Sequence, residues 1–288
     1  MADSGSRGGV LVTGAAGGIG AASVRALADR GYRVFAAVRS EGVASRALAE
    51  LPGVRVLTMD VTDPVGVTAA ADLVAAETGQ AGLRAVVNNA GVIVQGPLEL
   101  QSADELRRQF EVNTLGPIYV TQAFLPLLRA GQGRIVNVTA PSARVPVPFM
   151  ASLSGSKAAL DAVSAALRLE LVAWRIPVVL VEPGSTETEI FDKAGAASKQ
   201  SLVLVAPTRL ALYREQLAAV DRAAAKLRQR PVGPVARAIV SAVSARRPRR
   251  RYLVGDARVI SVVLRLPAGL RERMLAGMLG LRGTRPKG

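Results

Sequence analysis

Cysteine and histidine are both absent from the 288 residues. Their absence excludes disulfides, thiol nucleophiles and Ser-His-Asp triads, and leaves almost no basis for a zinc site; no metal is expected. Acid–base chemistry falls to Lys, Tyr, Ser, Thr, carboxylates, water or a substrate. Aromatic residues make up only 3% of the chain, so no stacking platform for nucleic acid is expected. No uninterrupted apolar run reaches the ~18 residues of a membrane span. The opening Met-Ala-Asp-Ser-Gly-Ser-Arg-Gly-Gly has no basic segment followed by a separate apolar one, so no signal peptide is read and a cytoplasmic location is expected.

Half of the residues are hydrophobic and 20% are charged, which supplies a sizeable core and excludes disorder over the whole length. The length suits one large α/β domain. The formal charge is +15, but it is unevenly placed. Residues 246–288 hold 12 basic and 2 acidic residues, whereas the first 245 hold 25 and 20. Arginine outnumbers lysine 32 to 5.

Short apolar runs alternate with Ala/Leu-rich stretches. Strands are predicted at Gly9–Thr13, Arg33–Val38, Val54–Met59, Ala85–Asn88, Arg134–Thr139, Val178–Val181 and Tyr252–Val254. Helices are predicted near 18–30, 42–50, 64–78, 102–129, 153–174 and 234–245. Continuous apolar strands suit a parallel sheet covered on both faces, and the alternation gives a Rossmann-type, doubly wound α/β fold of about seven strands flanked by helices. Two segments break the rhythm. Residues 185–231, with a mixed helical stretch Pro207–Arg230, follow the sixth strand at the edge where such sheets bind ligands, and read as a helical lid. Residues 256–288 read as a basic amphipathic C-terminal extension, broken at Pro267-Ala268-Gly269, after a main unit at 1–255.

The first strand runs into Thr13-Gly14-Ala15-Ala16-Gly17-Gly18-Ile19-Gly20 and then a helix. Glycines there allow a tight turn and close backbone approach to a pyrophosphate at the helix N-terminus. Further along stand Asp60-Val61 after the third strand, Asn88-Asn89-Ala90-Gly91 ending the fourth, and Asn113 in the long helix over 102–129. Lys157 is read as opening the next helix after Ser154-Gly155-Ser156, and Pro183-Gly184 follows the sixth strand with Thr188 four residues on. This ordered set resembles the compact, single-domain short-chain dehydrogenase/reductase family, over residues 9 to about 255.

That resemblance implies roles for these positions. Gly14, Gly18 and Gly20, with Ala16, Gly17 and Ile19 completing the loop, cradle the pyrophosphate. Asp60 and Val61 border the adenine. Asn89, Ala90 and Gly91 line the cofactor cleft, Lys157 holds the nicotinamide ribose hydroxyls, and Thr188, beyond Pro183 and Gly184, faces the carboxamide. Asn88 and Asn89 also read as buried amides tying adjacent strands, and Thr188 as a helix N-cap before Glu189. At the end of the second strand stands Arg39 where a carboxylate would select NAD(H). A guanidinium pairs with a 2′-phosphate, so NADP(H) is the expected cofactor.

The resemblance breaks at the chemical step. In the family, a tyrosine four residues before the lysine protonates the carbonyl oxygen, and a serine thirteen residues earlier polarises it. Those positions hold Leu153 and Ala140, and of the usual catalytic set only Asn113 and Lys157 remain. The tyrosines are Tyr32, Tyr119, Tyr213 and Tyr252, none between Arg134 and Lys157. Ser142 and Thr139 are the hydroxyls nearest the missing serine, while Ser152 and Ser154 flank Leu153 on a helix and point elsewhere. Losing a positioned acid costs ~10²–10⁴ in rate. The expectation is a reductase with a nonstandard or substrate-assisted proton source, with water, Glu187 or Glu189 as further candidates. The acceptor would be an iminium, a conjugated alkene or quinone-like system, or a ketone bearing its own acidic hydroxyl. The alternative is a non-redox isomerase or cyclase, or an NADP(H)-binding protein without turnover.

The loop Val145–Met150 and Leu153 predict an apolar cleft wall, hence a hydrophobic small molecule of the kind found in secondary metabolism. Helices at 102–129 and 153–174 resemble the family's association surface and imply a homodimer or homotetramer. The basic tail suggests a weak contact with an anionic membrane surface.

Overall fold

The computed structural model describes residues 7–226 and 228–284; the N-terminal six residues, Leu227 and the last four residues of the basic tail lie outside the description. All seven expected strands form, their ends within two residues of the predicted ones: β1 (Gly9–Thr13), β2 (Arg33–Val38), β3 (Val54–Thr58), β4 (Leu83–Asn88), β5 (Ile135–Val138), β6 (Val178–Pro183) and β7 (Arg251–Val254). They make one parallel sheet in the order β3-β2-β1-β4-β5-β6-β7. The order reverses between β1 and β4, so a crevice opens there at the strands' C-terminal ends.

Alternation along the strands splits the core in two. Val10, Val12, Val34 and Ala36 face α1 (Gly18–Ala28) on one side, and Leu11, Phe35, Val86 and Ile135 face α3 (Pro64–Thr78) on the other, all fully buried. The short α2 (Val43–Ala49) lies between them in sequence. Helix starts are written locally. Asp63 accepts a hydrogen bond from the Val65 amide (3.1 Å) with Pro64 at the first position of α3. Ser102 and Glu105 form a reciprocal capping box at the start of α4 (Ala103–Phe110).

The single helix expected over 102–129 is not continuous. α4 gives way to a π-helical turn at Glu111–Leu115 before α5 (Gly116–Ala130) begins. Pro117 brings no amide to the carbonyl of Asn113, four residues earlier, so the α ladder widens there. The next helix, α6 (Ala151–Glu170), starts earlier than predicted, and Lys157 sits in its second turn instead of opening it. The inserted segment is three helices, α7 (Glu189–Val203), α8 (Pro207–Ala211) and α9 (Arg214–Ala224), and not one stretch to residue 230. Its neck is closed by backbone bonds between Ser185, Glu187 and Arg230. α10 (Gly233–Ser244) packs on α1, with its last carbonyls, Ala242 and Ala245, held by the buried Arg134 guanidinium. The tail forms α11 (Ala257–Val263) and α12 (Ala268–Met278), separated at Pro267 as the sequence indicates. Among the described residues no helix is long and apolar enough to cross a membrane.

Candidate active site

The glycine loop is fastened to β4 by neutral groups. Thr13 Oγ1 accepts from the amides of Asn89 and Ala90, each at 3.0 Å. Asn89 Nδ2 donates to the carbonyls of Thr13 (3.0 Å) and Gly14 (3.2 Å). Gly14 has φ +62°, and a β-carbon on it would lie 2.8 Å from Ala90 Cα, so only glycine fits. A side chain on Gly20 would overlap the Gly14 carbonyl. Gly17, at the N-cap of α1, has no side chain to bond the first amides, and no carboxylate stands in the first turn. The positive end of α1 thus faces outward with its donors open to an anion, and Ala16, Gly17 and Gly18 are exposed at the loop tip. Ile19 instead packs on the core.

Asn88 serves the neighbouring strands. Its Nδ2 donates to Asn137 Oδ1 (2.8 Å), and Asn137 Nδ2 donates to Ser164 Oγ (2.8 Å), linking β4, β5 and α6. Next to this, Asn113 turns its amide on Val92, accepting from its N–H (2.9 Å) and donating to its carbonyl (2.9 Å). A β-carbon on Gly91 would sit 3.3 Å from Asn113 Oδ1 and 3.7 Å from Lys157 Nζ. Gly91, Asn113 and Lys157 therefore converge on one spot at the crevice. Lys157 is buried and donates to the Val138 carbonyl (2.9 Å). Burial pushes its ammonium down to about 8, only partly offset by attraction to Asp161.

Leu153 lies one turn before Lys157 on α6 and is buried. Ala140 leads into a tight turn, Pro141–Ala143, where the buried Ser142 Oγ has no partner among the described residues. Thr139 is committed elsewhere, donating to Asp161 Oδ1 (2.8 Å). Ser152 and Ser154 are buried, and their hydroxyls have no partner among the described residues. Glu189, considered as a proton carrier, is on the outer face in an exposed pair with Lys193 (2.7 Å). The hydrogen bond and charge of Lys193 hold its carboxyl below the usual range, so it is the wrong group in the wrong place. Glu187 is also exposed.

Thr188 occupies the N-cap position of α7 but its hydroxyl caps no amide; its methyl instead meets the glycine loop, 2.9 Å from where a Gly18 β-carbon would be. Gly184 does not join the cluster. Its amide bonds the Val254 carbonyl (2.9 Å), and it packs against Asp256 at the end of β7, with Pro183 paired in register to Val254. At the far end of the crevice, Arg39 and Asp60 line a cavity of about 530 Å³ with Thr62, Arg108, Glu111 and Tyr119. Asp60 Oδ1 is fixed by the amide (2.9 Å) and hydroxyl (2.8 Å) of Thr62. Val61 packs under Gly116.

Sequence reasoning missed a chain of charges behind Lys157. Arg251 bonds Asp161 (2.7 Å) and Glu182 (2.6 Å), and Arg144 bonds both oxygens of Glu182 (2.6 and 3.1 Å). Glu182 is fully buried. Burial works against the Arg251 charge, but its bonds to Asp161 and Glu182 outweigh that and hold its guanidinium above the ordinary value. Two signals were present: Asp161 is one turn after Lys157, and Glu182 interrupts an otherwise apolar strand. Sequence reasoning also missed Arg108, exposed beside Arg39, and Gln109, which holds the 92–94 loop through Val92 and Val94.

A parallel sheet with a glycine loop at its switch point, feeding a helix whose positive end is open, defines a dinucleotide-binding class of fold. The family model for short chain dehydrogenases matches residues 9–199, and the chain belongs to that family of oxidoreductases. It is 33% identical over 258 residues to the NADPH-dependent 3-dehydrocapnine reductase of Ornithobacterium rhinotracheale, covering 87% of this chain and 89% of that protein. It is 33% identical to human 11-beta-hydroxysteroid dehydrogenase type 2 over 279 residues, 92% of this chain and 69% of that one. Among solved structures, a short-chain dehydrogenase/reductase from Burkholderia phymatum in complex with NAD superposes with a TM-score of 0.75 at 25% identity, covering 99% of each chain. One from Burkholderia cenocepacia in complex with NADP gives 0.72 at 28% identity, covering 94% of this chain and 98% of that one.

Proposed function

We propose that the protein is an NADP(H)-dependent reductase of a hydrophobic small molecule, in which the proton does not come from a tyrosine. The observation that carries this is the convergence of Gly91, Asn113 and Lys157 beside an open phosphate loop, with Leu153 where an acid would stand. When bound, the nicotinamide supplies the hydride. The residues for holding such a cofactor fit: glycines that admit no side chain, the uncapped start of α1, and Lys157 at the ribose position. Arg39 and Arg108 share a cavity with Asp60, and two guanidinium groups there favour a 2′-phosphate over a bare ribose. Asn113 positions the 92 loop, and Leu153 with Val145 and Phe149 lines the acceptor side.

An acceptor that needs little help suits this site. An iminium carbon that accepts a hydride becomes a neutral amine with no proton taken up. A conjugated carbonyl that accepts hydride at its β-carbon leaves an enolate, which takes a proton afterwards from water. A hydroxyketone leaves an alkoxide, which takes the proton of its own acidic hydroxyl, with Ser142 Oγ as the hydroxyl within the wall. Relatives named as hydroxysteroid dehydrogenases support an apolar substrate. Residues 1–255 form the dinucleotide unit on this reading. Helices α7–α9 cover its cleft, pinned by Tyr213 and Arg209 to Glu99 (2.6 and 3.2 Å) and by the edge-on contact of Tyr213 with Phe149. Tyr213 is no substitute acid, because its bond to Glu99 raises its pKa. The exposed Leu169, Val172 and Trp174 near the end of α6 support association into a homodimer or homotetramer.

The test is calorimetric titration with NADPH and NADH, followed by NADPH oxidation against iminium, enone and hydroxyketone panels. Micromolar NADPH binding and turnover of one acceptor class is the expected result. Absence of binding by either nucleotide refutes the reading.

A further inference from the structure

Outside the crevice, the junction of β6, β7 and α10 opens into a concavity of about 770 Å³. Arg237 and Ser241 stand one turn apart on one face of α10, Ala245 follows its end, and Arg247 and Arg249 come from the link to β7. Arg230 and Arg258 close the other side, Tyr252 and Leu253 the floor. Five arginines thus share one groove, and no carboxylate is among its described lining residues. The nearby Asp256 is already engaged by Arg230 (3.1 Å). So many like charges in one recess raise its potential and draw in anions, and guanidinium matches phosphate best.

The helices that leave this groove add a second feature. Val259 and Val262, three residues apart on α11, and Leu270 and Met278 on α12 are each at least half exposed, at 66, 60, 52 and 72%. Arg258, Arg265, Arg271 and Arg273 are interspersed with them. Aliphatic side chains among arginines on short surface helices fit the boundary between headgroups and acyl chains. We propose that the arginine groove and the exposed sides of α11 and α12 are a docking surface for an anionic phospholipid bilayer. Headgroup phosphates enter the groove, and the four aliphatic side chains enter the acyl boundary. A second copy is the poorer occupant, because a two-fold contact would set this arginine groove against itself. Nucleic acid is poorer as well, with Tyr252 the single aromatic ring in the lining. Docking this way would bring the chain to the phase where a hydrophobic substrate dissolves, but the surface stands independently of the redox reading.

The experiment is co-sedimentation of the full chain with phosphatidylcholine vesicles, with and without phosphatidylglycerol, at low and high salt. Binding to the anionic vesicles alone, lost at high salt, is expected. Arg237→Gln, Arg247→Gln and Arg249→Gln together should weaken partitioning about a hundred-fold, at about five-fold per arginine. Val259→Asp with Val262→Asp should weaken it while leaving the salt dependence. An unchanged unfolding midpoint and NADPH titration show that each variant is folded. If the triple variant does not fold, Arg247→Gln alone must still lower binding about five-fold. The proposal is overturned by no partitioning, or by equal partitioning to neutral vesicles. It is equally overturned by tighter binding to duplex DNA that the same arginine changes abolish, or by a dimer that Val262→Asp dissociates and that excludes vesicles.

Discussion

The two ends of the crevice are held by different forces. Around β1 and β4 the fixings are neutral: Thr13, Asn88, Asn89 and Asn137 exchange amide, hydroxyl and carbonyl hydrogen bonds, and glycines remove side chains. Around β5, β6 and β7 the fixings are ionic, with Asp161, Arg251, Glu182 and Arg144 linked in a partly buried row. A neutral lattice leaves the phosphate loop without fixed charge, so an incoming anion meets only amide dipoles and the helix end. The ionic row consumes its own charges in pairs. Lys157 stands between the two regions, hydrogen-bonded to a carbonyl and not to a carboxylate, and its proton is loosely held.

The sharpest way to break this contrast is to remove one charge from the row. Glu182→Ala leaves Arg144 without its partner and Arg251 with Asp161 alone, both partly buried, and should lower unfolding free energy by up to about 3 kcal/mol. Glu182→Gln removes the same charge while keeping the shape and an acceptor, so it should lose nearly as much. A Gln variant that keeps most of the stability in denaturant titrations would show that hydrogen bonding and packing, and not charge, hold the row. Next comes a gain. Leu153→Tyr with Ala140→Ser restores both hydroxyls above a retained Lys157, and should raise turnover of simple ketones by ~10² or more. No gain in steady-state assays would mean that more than the acid separates this site from a carbonyl reductase.

That contrast also explains what was legible beforehand. The seven strands follow from apolar runs, and the glycine loop from a pattern that only backbone approach requires. The π turn at Glu111–Leu115 was hidden because Asn113 and Pro117 are each compatible with a helix, and only their joint effect on the ladder breaks it. The packing of Gly184 against Asp256 was not legible from its place after β6, because it depends on β7, about seventy residues on in the chain. The ionic row was hidden for the same reason. Each partner is one charge in an unremarkable segment, and the four meet only when β5, β6, β7 and α6 are assembled.

Lys157 offers a test of intermediate size. Its folded value, about 8, is below the ordinary 10.5, so between those limits the unfolded chain binds more protons and stability must rise with pH. From pH 7.5 to 9.5 the gain is about 2 kcal/mol. Lys157→Met should be more stable than the parent at neutral pH and should lack the rise. Urea titrations at the two pH values decide it, and a parallel rise in Lys157→Met would assign the dependence to other groups.

The smallest expected effect bears on the neutral end. If a 2′-phosphate is recognised beyond that end, cofactor choice rests on Arg39 and Arg108, the only cationic residues among the described lining of their cavity, acting against the carboxylates of Asp60 and Glu111 in the same cavity. An exposed arginine paired with a phosphate is screened by solvent, so each contributes modestly. Arg39→Ala should weaken NADPH binding about ten-fold and leave NADH within about two-fold, with Arg108→Ala in the same direction and smaller. Salt should erode the NADPH preference of the parent and not of the double variant, because screening acts only where the guanidinium groups remain. Equal loss of both nucleotides in Arg39→Ala would instead place that side chain against a feature the two cofactors share, and would move the discrimination back to the shape of the loop.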